Sequence, residues 1–310
     1  MWAMERKIGK VLILVNSLDQ FFVDKIAKRG YTVFQVYKEM PFVMRIVRMA
    51  LSRMAVQVPS FFFGSWKNDL TGYNTIIVFD CDAMLSVVKY IKQHSNARVI
   101  GWLWNPIYGR DYLRSTTRLC EVWSFDKEDC NKYGLKSNTQ FYFKDIYTDK
   151  LQQYKYDVIF VGQDKGRLEK LMQLKTEFEK LGLRTLFHIT PNRNHFNLFN
   201  RNRYLYGRII PYQEVLSYIS QSKTILEYVS YGQSGLTLRS LESLFLRKKL
   251  ITNNPKIRDM DFYNAENIFI IGEDDISKLP SFIDSPYVDV EEHIIQKYDF
   301  DEWIDRFFSE

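Results

Sequence analysis

The rhythm of apolar runs and helical stretches in this chain passes once through its first half and then starts again, and that restart limits the fold most. In the first half, strand-like runs at 11–16, 31–36, 74–80, 97–104, 121–125 and 139–143 alternate with helix-like stretches. One of these, 83–93, places Leu85, Val88 and Ile91 on one face. Short runs that are apolar throughout predict strands buried on both faces of a parallel sheet. A polar link at 150–155 leads into the second series, whose first strand, 156–161, ends in Gly162. A helix over 167–181 follows, stopped by Gly182, which suits a left-handed C-terminal cap. Further strands are expected at 184–190, 207–210, 224–228, 249–252 and 267–271, with helices at 212–221 and 238–247. Residues 290–308 read as one acidic, aromatic amphipathic helix. Two successive α/β units are therefore expected, residues 1–150 and 151–290, with a terminal helix in 291–310.

Length and composition agree with this division. The 310 residues suffice for two apolar cores, and 46% hydrophobic with 26% charged residues reads as a folded soluble protein. The run 11–15 is too short to span a membrane or to form the core of a signal peptide. Cys81, Cys120 and Cys130 are odd in number and have no metal-ligand spacing, so a reduced, cytoplasmic compartment is expected. The net charge of +6 is unevenly held. Residues 1–150 carry 22 Lys+Arg against 14 Asp+Glu, and residues 151–310 carry 21 against 23. A basic first half implies an anionic partner: a membrane surface, a phosphorylated glycolipid or nucleic acid. Segment 40–63 sharpens this, because Arg45, Arg48 and Arg53 alternate with apolar residues before Phe61, Phe62 and Phe63. Such a helix can lie on an anionic bilayer, or simply pack one face on the core.

The stretch 228–254 (YVSYGQSGLTLRSLESLFLRKKLITNN) carries the strongest chemical signal. Gly232 and Gly235 lead through Thr237 into a helix, where free backbone N–H groups suit a diphosphate. Arg239 adds a cation in the first turn, and Glu242, one turn on, can reach ribose hydroxyls. The competing reading is a plain turn followed by an (i, i+3) ion pair.

This region resembles the donor-binding motif of GT-B-fold glycosyltransferases. More closely, Asp157 through Gly162, Arg167, Gly232 through Arg239, Ile251 through Asn254, Asp261 through Asn264 and Asn267 through Phe269 resemble a bacterial family. That family serves lipopolysaccharide core and capsular polysaccharide synthesis, and rhamnose is the sugar implied. The resemblance covers about residues 156–275 and implies a GT-B-like α/β architecture. Two Rossmann-like lobes would face a cleft, an acceptor lobe first and a donor lobe second, and the C-terminal helix would cross back to the first lobe.

Carried over, the resemblance gives Glu242 the donor ribose and Arg239 the diphosphate. Gly162 would admit the donor to the backbone, and Lys165 and Arg167 would be further phosphate ligands. Pro211 and Tyr212 would pack on the base, and Gly235 and Thr237 would form the phosphate turn. Many retaining members carry a second glutamate where this chain has Ser234, so an inverting mechanism is favoured, and no metal is needed if Arg239, Lys165 or Arg167 and the helix N-terminus neutralise the leaving diphosphate. Inversion requires a base, and in this fold it usually comes from the first lobe at a strand end. Asp19 and Asp82 are the leading candidates, although either can instead cap a helix.

The expected partners are thus a nucleotide-sugar donor, an anionic glycolipid acceptor and the inner-membrane surface, with no nucleic acid and no resident cofactor. Two rivals stand beside this reading. One is a metal-dependent transferase using Asp80 and Asp82, and the other is a protein that binds nucleotide or glycan without turnover. No G-x-G-x-x-G follows the first strand, no P-loop motif occurs, and the four histidines lack ligand spacing.

Overall fold

A computed structural model describes residues 9–54, 56–105, 107, 113–147, 153–191, 205–229 and 235–309. The chain divides into two compact units, Met1–Thr139 with Arg306–Glu310, and Gln140–Asp305.

The sheet of the first unit holds β1 (Val11–Val15), β2 (Thr32–Gln35), β3 (Thr75–Phe79), β4 (Arg98–Leu103), β5 (Glu121–Ser124) and β6 (Lys136–Ser137). Their order is β2-β1-β3-β4-β5-β6, with every pairing parallel. All residues of β1 and β3 are buried, as their apolar sequences require, and β3 also buries its first residue, Thr75. The connections carry α1 (Val23–Lys28), α2 (Phe42–Arg53), α3 (Met84–His94), α4 (Leu113–Thr117) and α5 (Lys127–Tyr133). Of these, α3 buries Met84, Val87, Val88 and Ile91. The side chain of Asp126 caps α5, and Gly134, at φ 64°, ends it.

The second unit repeats the plan. Its strands are β7 (Tyr156–Gln163), β8 (Thr185–Thr190), β9 (Ser222–Glu227), β10 (Lys249–Thr252) and β11 (Ile268–Ile270). They lie in the order β11-β10-β9-β7-β8, again all parallel. The helices are α6 (Leu168–Lys180), α7 (Tyr212–Ser220), α8 (Leu238–Phe245), α9 (Leu279–Asp284), α10 (Glu292–Lys297) and α11 (Phe300–Asp305). In each sheet the first strand lies inside, with the second strand on one side and the third on the other. The direction of winding therefore reverses between β1 and β3, and again between β7 and β9. In open parallel sheets ligands bind beyond the carboxyl ends of the strands at such a reversal.

Three expected elements differ. The run 139–143 is not a sheet strand, and the sixth strand is Lys136–Ser137. Phe141 and Phe143 are instead buried against Phe300, at 5.2 and 5.3 Å between ring centroids, and Phe141 also packs on Trp303. The expected terminal helix is broken into α10 and α11. Tyr142 N–H donates to Tyr298 O at 2.8 Å and Phe300 N–H to Tyr142 O at 2.9 Å, so backbone pairing interrupts the helical ladder there. Residues 207–210 form no strand, although Gly207 N–H donates to Ile189 O at 2.7 Å.

Candidate functional site

In the second unit, the reversal between β7 and β9 gathers charged side chains. Glu227 is the last residue of β9 and is 2% exposed. Its carboxylate accepts hydrogen bonds from the hydroxyls of Thr237, Ser240 (2.6 Å) and Thr252 (2.5 Å). Thr237 is also the N-cap of α8, its hydroxyl accepting from Arg239 N–H at 3.1 Å. One threonine thus anchors the helix start to the strand end.

Helix α8 buries Ser240 through Leu244 in succession, which carries Glu242 inside the unit. Both of its oxygens are engaged. Oε1 accepts from the Tyr212 hydroxyl at 2.8 Å, and Oε2 pairs with Arg239 Nη1. Tyr212 in turn accepts from the Tyr142 hydroxyl at 2.6 Å, since its own proton goes to Glu242. Burial, followed by the nearby Glu242 charge, raises both tyrosines well above their ordinary values, so both remain neutral donors. Arg239 Nη2 donates to Val161 O, near the end of β7, at 2.7 Å. Burial opposes the Arg239 charge, but Glu242 more than offsets it and holds the guanidinium above its ordinary value.

At the end of β7, a Cβ on Gly162 would lie 3.2 Å from the Phe160 ring and 3.7 Å from Arg167 Nη2. The tight neighbour is thus the Phe160 ring, and the Arg167 guanidinium lies over that ring at 5.2 Å. Burial and then the charge of Arg239 lower the Arg167 guanidinium from its ordinary value. Its Nη2 donates to Gln163 O at 3.1 Å, and its buried Nε has no hydrogen-bond partner among the described residues. The turn before α6 runs through Lys165 at φ 49° and Gly166 at φ 78°. Asp164 Oδ1 accepts from Arg167 N–H and Leu168 N–H at 2.8 and 2.7 Å, so that helix start is already capped.

The structure therefore brings Gly162, Arg167, Tyr212, Thr237, Arg239 and Glu242 to one region of the second unit. Lys165 is exposed in the turn after β7, Pro211 is the exposed N-cap of α7, and Gly235 is buried before α8. Gly232 and Ser234 lie outside the described residues. A ribose hydroxyl reaches Glu242 only by displacing Tyr212 or Arg239. Other residues of the resembling stretches hold the fold: Asn253 Oδ1 accepts from Val229 N–H at 2.7 Å, and Asn267 bonds both backbone groups of Val288. The sequence reading missed Glu227, although an acidic residue ending an apolar strand run was its visible sign. The part of Tyr142 in this network has no local sign, since its partner Tyr212 lies 70 positions away.

In the first unit, Asp19 and Asp82 lie in the loops after β1 and β3, on either side of the reversal. Asp19 is exposed; the Ser17 hydroxyl donates to its Oδ2 at 3.4 Å, and Ser17 Oγ accepts from Asp19 N–H at 3.2 Å. Asp82 is more tightly held. Oδ1 accepts from the Tyr37 hydroxyl and Oδ2 pairs with Arg48 at 3.3 Å. The Arg48 guanidinium also stacks on Tyr37, 3.5 Å from the ring centroid. Arg48 is thus turned into the unit, whereas Arg45 and Arg53 are exposed. Burial pushes the intervening Cys81 thiol up to about 12, far from a reactive thiolate. Phe22, Phe79 and half-buried Trp104 form an aromatic group at the same sheet end, with centroids 5.1 to 6.0 Å apart. Among the described residues, no three His, Cys, Asp or Glu side chains converge as a metal site. No helix among them is long and apolar enough to cross a membrane.

No protein-family model matches this chain, and no curated protein matches it. Solved structures do. The UDP-forming α,α-trehalose-phosphate synthase of Burkholderia vietnamiensis aligns with a TM-score of 0.62 at 8% identity, over 97% of this chain and 99% of that one. The N-terminal domain of trehalose-6-phosphate phosphatase from Candida albicans aligns at 0.60 and 13% identity, over 97% and 96%. The DNA-modifying enzyme β-glucosyltransferase, studied with and without its substrate uridine diphosphoglucose, aligns at 0.54 and 14% identity, over 96% and 98%. At such identities the likeness establishes the fold: two parallel α/β units of the GT-B kind.

Proposed function

We propose that this protein is a glycosyltransferase that takes its sugar from a nucleoside diphosphate donor bound by the second unit. The observation that carries the reading is that two guanidiniums, Arg167 and Arg239, are both held on backbone carbonyls at the end of β7, those of Gln163 and Val161, with Lys165 in the adjoining turn. Burial and the nearby Arg239 charge disfavour the charged form of Arg167, and an anion bound beside it relieves that cost. Glu242 and Val161 O hold Arg239 in place. Several solved structures of the same fold are named for uridine diphosphate chemistry, so UDP is the first nucleotide to test.

In this reading an acceptor hydroxyl oxygen attacks C1 of the sugar from the face opposite the diphosphate. The C1–O bond to phosphate breaks, its electron pair leaves with the nucleoside diphosphate, and the configuration at C1 inverts. Asp19 takes the hydroxyl proton; its carboxylate is exposed, whereas both oxygens of Asp82 hold hydrogen bonds. Arg167, Arg239 and Lys165 meet the charge that develops on the leaving group, and no metal is required. The acceptor is a lipid-linked surface glycan, as in lipopolysaccharide core synthesis, with rhamnose the first sugar to test. The protein works at the cytoplasmic face of the inner membrane. The basic balance of residues 1–150 supports an anionic acceptor.

A thermal-shift screen against nucleoside diphosphates tests the reading. A ligand at a hundredfold excess over its Kd stabilises by about 2.7 kcal/mol, a shift of several degrees. The shift should vanish in Arg167→Ala with the unliganded melting temperature little changed. If no nucleoside diphosphate shifts the wild type, the proposal fails.

A further inference from the structure

Helix α2 packs as a surface element with an unusual distribution of side chains. At 100° per residue, Met44, Arg48, Leu51 and Ser52 share one side. Met44 and Leu51 pack against the core, Arg48 pairs with Asp82, and the Ser52 hydroxyl donates to Asp82 O. The outward arc carries Phe42, Ile46 and Val43, with Arg53 at its far end and Val47 at its edge; the four apolar residues Phe42, Val43, Ile46 and Val47 are 74%, 67%, 49% and 41% exposed. No residue of this 12-residue helix is buried. The apolar surface continues past its end through Met54, Val56 and Phe61, at 72%, 46% and 53% exposure. Of the thirteen exposed large apolar side chains among the described residues, eight fall between 42 and 61. That concentration distinguishes this face from the scattered apolar exposure of ordinary surfaces.

Its charge identifies what covers it. No Asp or Glu occurs from Met40 to Trp66. Arg45 and Arg53 are exposed on the helix, and Lys38 lies over the Phe61 ring at 3.4 Å. A second protein surface of balanced charge would not account for the absence of acids. An anionic bilayer does, since apolar side chains enter the acyl boundary while cations remain among the headgroups. The helix is about 18 Å long, too short to span but long enough to lie in the interface. From this geometry we infer that α2 and the segment to Phe61 form a docking face for an anionic lipid surface. Phe42, Val43, Ile46, Val47 and Phe61 enter the bilayer, and Lys38, Arg45 and Arg53 contact the headgroups. The inference deepens the proposed function and rests on it only for the view that the acceptor is lipid-linked. The ties from Arg48 and Ser52 to Asp82 fix the helix to its unit, so the face is presented as a rigid surface.

The test uses the full chain and two sets of vesicles, phosphatidylcholine alone and phosphatidylcholine with about a third phosphatidylglycerol, the anionic headgroup charge that such a face requires. The wild type is expected to sediment with the anionic vesicles at least tenfold more strongly than with the neutral ones. Phe42→Ser with Ile46→Ser should weaken partition at least tenfold, as should Arg45→Glu with Arg53→Glu on the anionic vesicles. Phe42→Trp, which keeps the face apolar, should retain binding, and its fluorescence should be quenched by brominated lipid. Failure of the wild type to bind either vesicle overturns the inference. So does a concentration-dependent dimer that is abolished by the serine variant without any vesicle binding. Binding of nucleoside diphosphate, measured on the same samples, should be unchanged in all variants. Vesicle binding without nucleotide binding would sink the proposed function and leave the docking face standing.

Discussion

Replacing Glu242 by alanine separates a structural role for this carboxylate from a role at the ligand alone. Glu242 is 0% exposed and accepts from Tyr212 and Arg239. The substitution leaves the Tyr212 hydroxyl without its acceptor and the Arg239 guanidinium without its counterion. Removing one partner of a buried ion pair costs about 3–5 kcal/mol. The Arg239 side chain is 21% exposed and regains some hydration, so the lower end, about 3 kcal/mol, is expected. For a unit of this size each kcal/mol moves the melting temperature by about 2–4 °C, giving a fall of roughly 6–12 °C. Urea unfolding followed by tryptophan fluorescence gives the free energy directly. Arg239→Met with Glu242→Leu should be less damaging than the sum of the single variants, with a coupling of about 2 kcal/mol, because no charge is then stranded. A Glu242→Ala protein within about 0.5 kcal/mol of wild type would refute the reasoning, as would strict additivity of the pair. If that stable variant had also lost nucleotide affinity, the carboxylate would act on the ligand directly.

Three other substitutions probe separate parts of the fold and site. Hydrogen bonds from Arg98, with help from Lys136, hold the Glu121 carboxyl down at about 2 against the opposing effect of burial. Because this group is depressed on folding, its contribution is fully present above the ordinary glutamate value and is lost as pH falls towards 2. Acid unfolding of Glu121→Gln should therefore lack part of the wild-type loss between pH 4.5 and 2, about 1 kcal/mol after solvent screening of this partly exposed pair, and equal acid profiles would contradict this. Glu227→Ala strands the buried hydroxyls of Ser240 and Thr252 and the half-buried one of Thr237, and should cost about 2–3 kcal/mol by chemical denaturation; a loss below 1 kcal/mol would mean the hydroxyls find other partners. Asp19→Asn should lower sugar transfer at least a hundredfold with nucleotide affinity unchanged, whereas Asp82→Asn should mainly lower stability; the reverse pattern, by assay and melting temperature, would exchange their roles.

Much of this was legible in the sequence because it is local. A fully buried parallel strand must be apolar throughout, so 11–16, 74–80 and 156–161 revealed themselves and with them the strand ends that carry Asp19, Asp82 and Gly162. What escaped depends on partners distant in sequence. Strand β6 is two residues long, below any periodicity, and β-type pairing at Tyr142 cuts a sound amphipathic pattern into α10 and α11. The Glu242 network joins residues 30 and 70 positions apart, and nothing near Tyr142 or Tyr212 indicates that their hydroxyls meet. Arg48 is an intermediate case. Its charge suggested a place among the solvent-facing arginines, but its angular position, shared with Met44 and Leu51, turns it towards Asp82.

The same distinction explains why the phosphate-binding expectation takes a different form in three dimensions. A helix start with a nearby arginine reads as an open anion site, yet Thr237 caps α8 and Asp164 caps α6. Both helix starts in the described part of this region are already furnished with acceptors, so dipole and free N–H groups contribute less than the motif implies. What is left for an anion is side-chain charge. Arg167 lies over the Phe160 ring and on the Gln163 carbonyl, and Arg239 is pinned by a carboxylate and a strand carbonyl. A site built from held guanidiniums needs its supporting acids, Glu242 and Glu227, to stay buried, since an exposed carboxylate in the same place would repel the ligand. The burial of Glu242 is therefore compatible with a diphosphate site, with the glutamate serving through the arginine it fixes.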